Sequence, residues 1–88
     1  MFYIYCLESE KSEDLYFGYT KDLRRRFKEH NQKLNFSTKK HVPWKIIYYE
    51  ACLNENDAKR RELYLKTSQG RRMMRSRLKE YFYEKRKI

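Results

Sequence analysis

An arginine and a histidine four residues apart share one face of a helix, and the segment from Asp22 to Lys33 carries such a pair in Arg26 and His30. The stripe Leu23, Phe27, His30, Leu34 has helical spacing, so an imidazole interrupts an otherwise core-facing line. Glu62 is a second anomaly, because it falls between Ala58 and Leu65 on the apolar stripe of another helix. Burying an unpaired carboxylate is expensive, so Glu62 needs a cation. The candidates are an arginine of the protein, a bound metal, or an intrahelical partner among Lys59, Arg61 and Lys66. His30 is either a satisfied core-edge histidine or part of a site, and Arg26 is either one of three solvated arginines or its companion.

Two hydroxyls complete the set. Side chains alternate faces along a strand, so Phe2, Ile4 and Cys6 share one face, and Leu15, Phe17 and Tyr19 share one face of the next strand. Tyr5 and Tyr16 fall on the opposite parities together with Gly18, which offers two phenols on like faces. Phenol, guanidinium, imidazole and carboxylate are the parts of a phosphate-cleaving site. A hard divalent cation takes oxygen ligands, often one carboxylate with water and substrate phosphate filling the rest. It polarises the phosphoryl oxygen, while a guanidinium stabilises the charge growing there. A tyrosine near cations loses its proton more readily and can accept one from an attacking water.

The elements that must position these groups are short. Phe2 to Leu7 and Leu15 to Thr20 are aromatic and branched, each the length of a strand, and the polar stretch Glu8 to Asp14 joins them as a hairpin. Thr20 is expected to cap a helix beginning near Asp22 and running to about Lys33. A basic connection, Asn35 to Pro43, leads to a third strand, Trp44 to Cys52, with Pro43 suited to its start. Asn54 and Asp57 open the helix that carries Glu62, and Gly70 is expected to separate it from a last helix marked by Met74, Leu78 and Tyr81. That helix presents Arg71, Arg72, Arg75, Arg77 and Lys79 outward. The order β-β-α-β-α-α points to an α/β (α+β) domain over residues 1–82, a small three-stranded antiparallel or mixed sheet flanked by helices. A charged tail, 83–88, is expected to fray.

Eighty-eight residues suffice for one core. Twenty-two Lys and Arg against twelve Asp and Glu leave a formal charge of +10, which suits a polyanion and makes nucleic acid the expected partner. No apolar run approaches a membrane span and no signal peptide is evident, so no membrane partner and a cytoplasmic location are expected. Cys6 and Cys52 lack metal-ligand spacing and read as two reduced core thiols, with a bridge between them as the alternative. Gly18 inside a strand implies that a substrate or another element comes close to the backbone there.

These residues resemble the GIY-YIG nuclease superfamily over nearly the whole chain, from about Phe2 to Leu78. Tyr3-Ile4-Tyr5 is similar to the family's first motif and Tyr16-Phe17-Gly18 to its second. Asp22 to Asn31 resembles the helix bearing a catalytic arginine and histidine, here Arg26 and His30. Pro43 to Glu50 resembles the third strand of short members, and Ala58 to Glu62 the helix with the metal-ligand glutamate, here Glu62. The resemblance implies a DNA endonuclease, related to repair enzymes, that hydrolyses phosphodiesters with one Mg2+ or Mn2+ held by Glu62. In it Tyr16 is the general base, Tyr5 positions water or phosphate, and His30 assists, although the two tyrosines can exchange roles. Lys21, Arg25, Lys39, Lys40, Arg71, Arg72 and Arg75 are the expected nucleic-acid contacts. A binding module of the same fold that reads nucleic acid without cutting is the rival expectation. The chain departs from the pattern at Tyr3, where a glycine usually stands, and has no asparagine soon after Glu62.

Overall fold

The computed structural model describes residues 1–86. Strands β1 (Phe2–Ser9), β2 (Leu15–Thr20) and β3 (Trp44–Cys52) form one antiparallel sheet in the order β2-β1-β3. Branched and aromatic residues dominate all three, as a pleated surface packed on both sides requires. Helices α1 (Leu23–Asn31), α2 (Glu55–Leu65), α3 (Ser68–Arg77) and α4 (Lys79–Arg86) surround the sheet, and a short 3-10 turn, Lys39–His41, precedes β3. The fold is α+β. None of the helices among the described residues is long and apolar enough to cross a membrane.

Each face of the sheet has its own core. On one, Ile4, Cys6 and Phe17 pack against Ala58 and Leu65 of α2 and Met74 of α3. On the other, Tyr5, Leu7 and Trp44 pack with Tyr16 and with Leu23 and Phe27 of α1. The strand parity expected for Tyr5, Tyr16 and Gly18 therefore holds, with Tyr5 directly opposite Gly18 on β2 and opposite Tyr49 on β3.

Several local expectations are corrected. Asp22 caps α1, its carboxylate accepting from Arg25 N at 3.1 Å, whereas the Thr20 hydroxyl accepts from Asp22 N one step earlier. The helix stops at Asn31, Lys33 turns left-handed at φ 62°, and Leu34 leaves the expected stripe to stand 68% exposed. Gly70 does not separate helices but lies in the first turn of α3, which is capped by Thr67. The last turn of α2 crosses there so closely that a Cβ at position 70 would strike Tyr64 O and sit 2.7 Å from Leu65 Cα. The single last helix is two, broken at Leu78.

The charged end is helical through Arg86, and residues 87–88 lie outside the described residues. Lys85 and the Tyr81 hydroxyl both donate to Glu8, whose side chain is only 2% exposed, and Lys45 lies 3.9 Å from the same carboxylate. A buried carboxylate without such partners would be strongly destabilising. The two cysteines are free thiols. They oppose Tyr48 and Phe2 respectively, four residues apart along the β1–β3 ladder, about 13 Å of strand and beyond disulfide reach.

Candidate active site

Tyr5 stands on the central strand beneath α1 and is 1% exposed. Its hydroxyl bonds His30 Nε2 at 2.8 Å. Gly18 makes room for it: a Cβ there would overlap the Tyr5 hydroxyl and Cζ and lie 2.9 Å from Cε1. The close approach that a glycine in this strand implied is thus made by the Tyr5 ring. Burial pushes the phenol up to about 12, with Arg26 lowering it and the charges of Tyr16 and Glu62 raising it.

His30 is fully buried, and its other nitrogen, Nδ1, lies 2.8 Å from Thr38 Oγ1. Burial, and then the neighbouring Arg26 charge, lowers the imidazole from 6.5 to about 4, so it is neutral at pH 7. A neutral imidazole has one donor and one acceptor nitrogen. Thr38 Oγ1 has the Asn35 carbonyl at 3.5 Å as an outlet for its own proton, which favours Nδ1–H donating to Thr38 and the Tyr5 hydroxyl donating to Nε2. Thr38 is itself fixed, fully buried with its carbonyl accepting from Trp44 Nε1 at 2.9 Å.

Tyr16 lies beside this chain. Its ring meets His30 edge-on at 5.0 Å between centroids and Tyr5 at 6.4 Å. It is half-buried, and among the described residues its hydroxyl makes no hydrogen bond within the protein. Arg26, on α1, is near enough to lower the pKa of Tyr5 and pairs with Glu29 at 3.0 Å. A shallow cleft in front of it is lined by Thr20, Lys21, Asp22, Arg25 and Glu29.

Glu62 comes from α2, on the other face of the sheet, yet its carboxylate is near enough to raise the pKa of both Tyr5 and Tyr19. Its side chain is 19% exposed and pairs with Lys66 at 3.1 Å. Of the three intrahelical partners weighed, Lys66 is the one used. Arg61 instead forks onto Glu50, with contacts of 2.9 and 2.8 Å. Among the described residues no three His, Cys, Asp or Glu side chains gather as a metal cluster. A lone, partly open carboxylate nevertheless fits a hard cation that keeps water and substrate oxygens as its other ligands.

The expected nucleic-acid contacts divide. Lys21 and Arg25 border the Arg26 cleft, while Lys39 covers the exposed Phe36 ring at 4.5 Å and Lys40 is exposed beside it. Arg71 and Arg75 line a second shallow cleft with Tyr16, His41 and Trp44 and with the carboxylates Glu13 and Asp14, so α3 opens toward Tyr16 across a mixed-charge lining. Arg72 is exposed but lines neither cleft. Thr38, in the connection from Asn35 to Pro43, is the member of this hydrogen-bonded chain that sequence reasoning did not single out. No periodicity marks it, because it is positioned by Trp44 from the next strand.

Sheet order, helix placement and this cluster together define a class. The chain belongs to the GIY-YIG family, a family of nucleases, and the model of the GIY-YIG catalytic domain matches residues 1–76. Over 90 aligned residues it is 37% identical to a UPF0213 protein of Clostridium perfringens (strain 13 / Type A), covering 97% of this chain and 96% of that protein. No solved structure matches the chain.

Proposed function

We propose that this protein is a metal-dependent endonuclease that hydrolyses phosphodiester bonds in DNA, with Tyr5, Tyr16, Arg26, His30 and Glu62 as its reacting and charge-bearing groups. The observation that carries this reading is the buried chain Tyr5–His30–Thr38, its hydrogen bonds 2.8 Å each, with the Arg26 guanidinium alongside. A satisfied structural histidine does not need a buried phenol as its partner on the side where Arg26 lies.

A base must have somewhere to send its proton, and Tyr5 has His30 whereas Tyr16 has no such outlet. As the water oxygen attacks phosphorus, its proton passes to the Tyr5 oxygen while the Tyr5 proton passes to His30 Nε2. Tyr5 stays a phenol and His30 becomes an imidazolium. Without substrate that imidazolium is disfavoured, and the negative charge of the phosphate reverses this when DNA is bound. The bond from phosphorus to the leaving oxygen breaks, and that oxygen takes a proton from solvent. Arg26 donates to the phosphate oxygens as their charge grows. The Tyr16 hydroxyl, free of protein partners, orients water or phosphate, an exchange of the roles that the resemblance implies. Glu62 would hold the divalent cation, Mg2+ or Mn2+, which supplies Lewis-acid polarisation of the phosphate and stabilises the leaving oxygen.

The test is a panel of labelled duplex, flap, junction and single-stranded DNA incubated with Mg2+ or Mn2+. The wild type should cut at least one member, and Glu62→Gln or Arg26→Ala should lower the rate by about a hundredfold or more while the protein stays folded. Absence of cutting on every member with either metal would end the proposal. One observation favours a binding module that does not cut: the cation beside Glu62 is already supplied by Lys66. Binding that persists unchanged in a chelator, with no nicking in its absence, would select that reading.

A further inference from the structure

On the α1 face of the sheet, α1 leaves part of the surface uncovered, and a groove opens there between the start of the helix and β3. Tyr3, Tyr49, Ile46, Leu23 and Phe27 form its walls and floor, and Lys21 and Arg24 stand at its rim. We propose that Tyr3 and Tyr49 form a stacking platform for one unpaired DNA base next to the scissile phosphate, which makes DNA with a single-stranded element the preferred substrate. This rests on the nuclease reading for its adjacency to the cut, but not for its binding step.

Four observations carry it. Tyr49 is 56% exposed, a large ring left open on a sheet face whose other aromatic residues are buried or half-buried. Its centroid is 6.2 Å from that of Tyr3 with the planes tilted by 56°, so the two rings make a corner in which a flat base lies on one face and meets the other ring edge-on. The rim is cationic. Lys21 is 71% exposed with only a long contact of 3.9 Å to Glu55, and Arg24 is exposed and makes no ion pair among the described residues. The one acidic group on the rim, Asp22, is engaged in capping α1. Finally, the groove is continuous with the Arg26 cleft, since Lys21 and Asp22 line both. Tyr5 is the direct cross-strand partner of Tyr49 and sits two residues, about 7 Å, from Tyr3.

Aromatic stacking with cations along the backbone is how single strands are held without reading sequence. A blunt duplex keeps its bases stacked on each other and gains nothing from such a corner.

The experiment uses the full chain in a chelator, where no cutting occurs. A single-stranded oligonucleotide and a flap carrying 2-aminopurine at the unpaired position are titrated against wild type, Tyr49→Ala, Tyr49→Phe and Tyr3→Leu, beside a blunt duplex. Binding by the wild type should quench 2-aminopurine, and Tyr49→Ala should lose about tenfold in affinity for the unpaired substrates. The duplex should be held equally by both proteins, and Tyr49→Phe should restore quenching. Equal loss on all three substrates, or no loss on any, overturns the proposal. So does gel filtration in which Tyr49→Ala converts a dimer to a monomer with quenching intact, because the groove is then an interface between copies. If quenching behaves as expected but no DNA is cut when metal is added, the platform stands and the nuclease reading fails. If DNA is cut and quenching is indifferent to Tyr49, the reverse holds.

Discussion

The Tyr5 phenol lies over Gly18, its partner across the β1–β2 ladder, in the volume that a Cβ at position 18 would fill. The glycine is a steric requirement of the site, since the strand backbone itself needs no unusual conformation there. Gly18→Ala must push the ring away from its 2.8 Å contact with His30. It should cost about 1–3 kcal/mol of stability, measured by urea unfolding. Cleavage should fall by more than the loss of folded protein accounts for.

His30 makes stability depend on pH in a definite direction. Its pKa is near 6.5 unfolded and about 4 folded, so between these values the unfolded chain binds the extra proton. The stabilisation is complete above about 6.5 and is lost as pH falls toward about 4, by on the order of 3 kcal/mol in all. Urea midpoints at pH 7 and 5 should therefore differ, and His30→Gln should flatten most of the difference.

Thr38→Val removes the acceptor of His30 Nδ1 while keeping the side chain's shape. Stability should drop by about 1–2 kcal/mol, as for a buried hydrogen bond left unmade. Cleavage should fall by roughly tenfold to a hundredfold, because the imidazole loses its fixed orientation and tautomer. The separating readout is the imidazole nitrogen NMR spectrum, which should show mixed tautomers at pH 8 in the variant and one in the wild type.

Lys66 competes with any cation for Glu62. A partly exposed pair of this kind contributes about 1 kcal/mol, so Lys66→Ala should lower the Mg2+ concentration for half-maximal cleavage by about threefold to fivefold. Thermal stability should barely change. A metal titration that is identical for wild type and variant would show that the pair and the metal do not share the carboxylate.

Gly70→Ala offers a contrast to the Gly18 substitution. The intruding methyl group meets backbone atoms of Tyr64 and Leu65, which cannot rotate away, so α2 and α3 must separate. A loss of about 2–4 kcal/mol is expected in urea, with no special effect on cleavage per folded molecule.

The strands were the most legible part of the sequence. Trp44 to Cys52 is the third strand residue for residue, because Ile46, Ile47, Tyr48 and Tyr49 form a branched and aromatic run at its centre and Pro43 marks its start. The Asn54 cap was equally readable, with its side chain accepting from Asn56 and Asp57 N. Periodicity failed where tertiary contacts decide. Leu34 fits the stripe of α1 but the chain turns left-handed at Lys33 before reaching it. Gly70 looks like a helix breaker, yet it is a crossing point between helices. The pairing of Arg26 with His30 was visible in their spacing, and Thr38 was not, since a hydroxyl in a loop acquires its role only when Trp44 folds back on it.

The family match ends at residue 76, but the carboxylate of Glu8 is gripped by groups at positions 81 and 85. A chain shortened to the matched region would strand a charge inside the hairpin with Lys45 as its remaining counterion. Losing partners of a buried ion costs about 3–5 kcal/mol, a large part of what holds so small a protein together. The boundary of sequence similarity and the boundary of an independently stable unit are therefore different places in this molecule, with α4 belonging to the second.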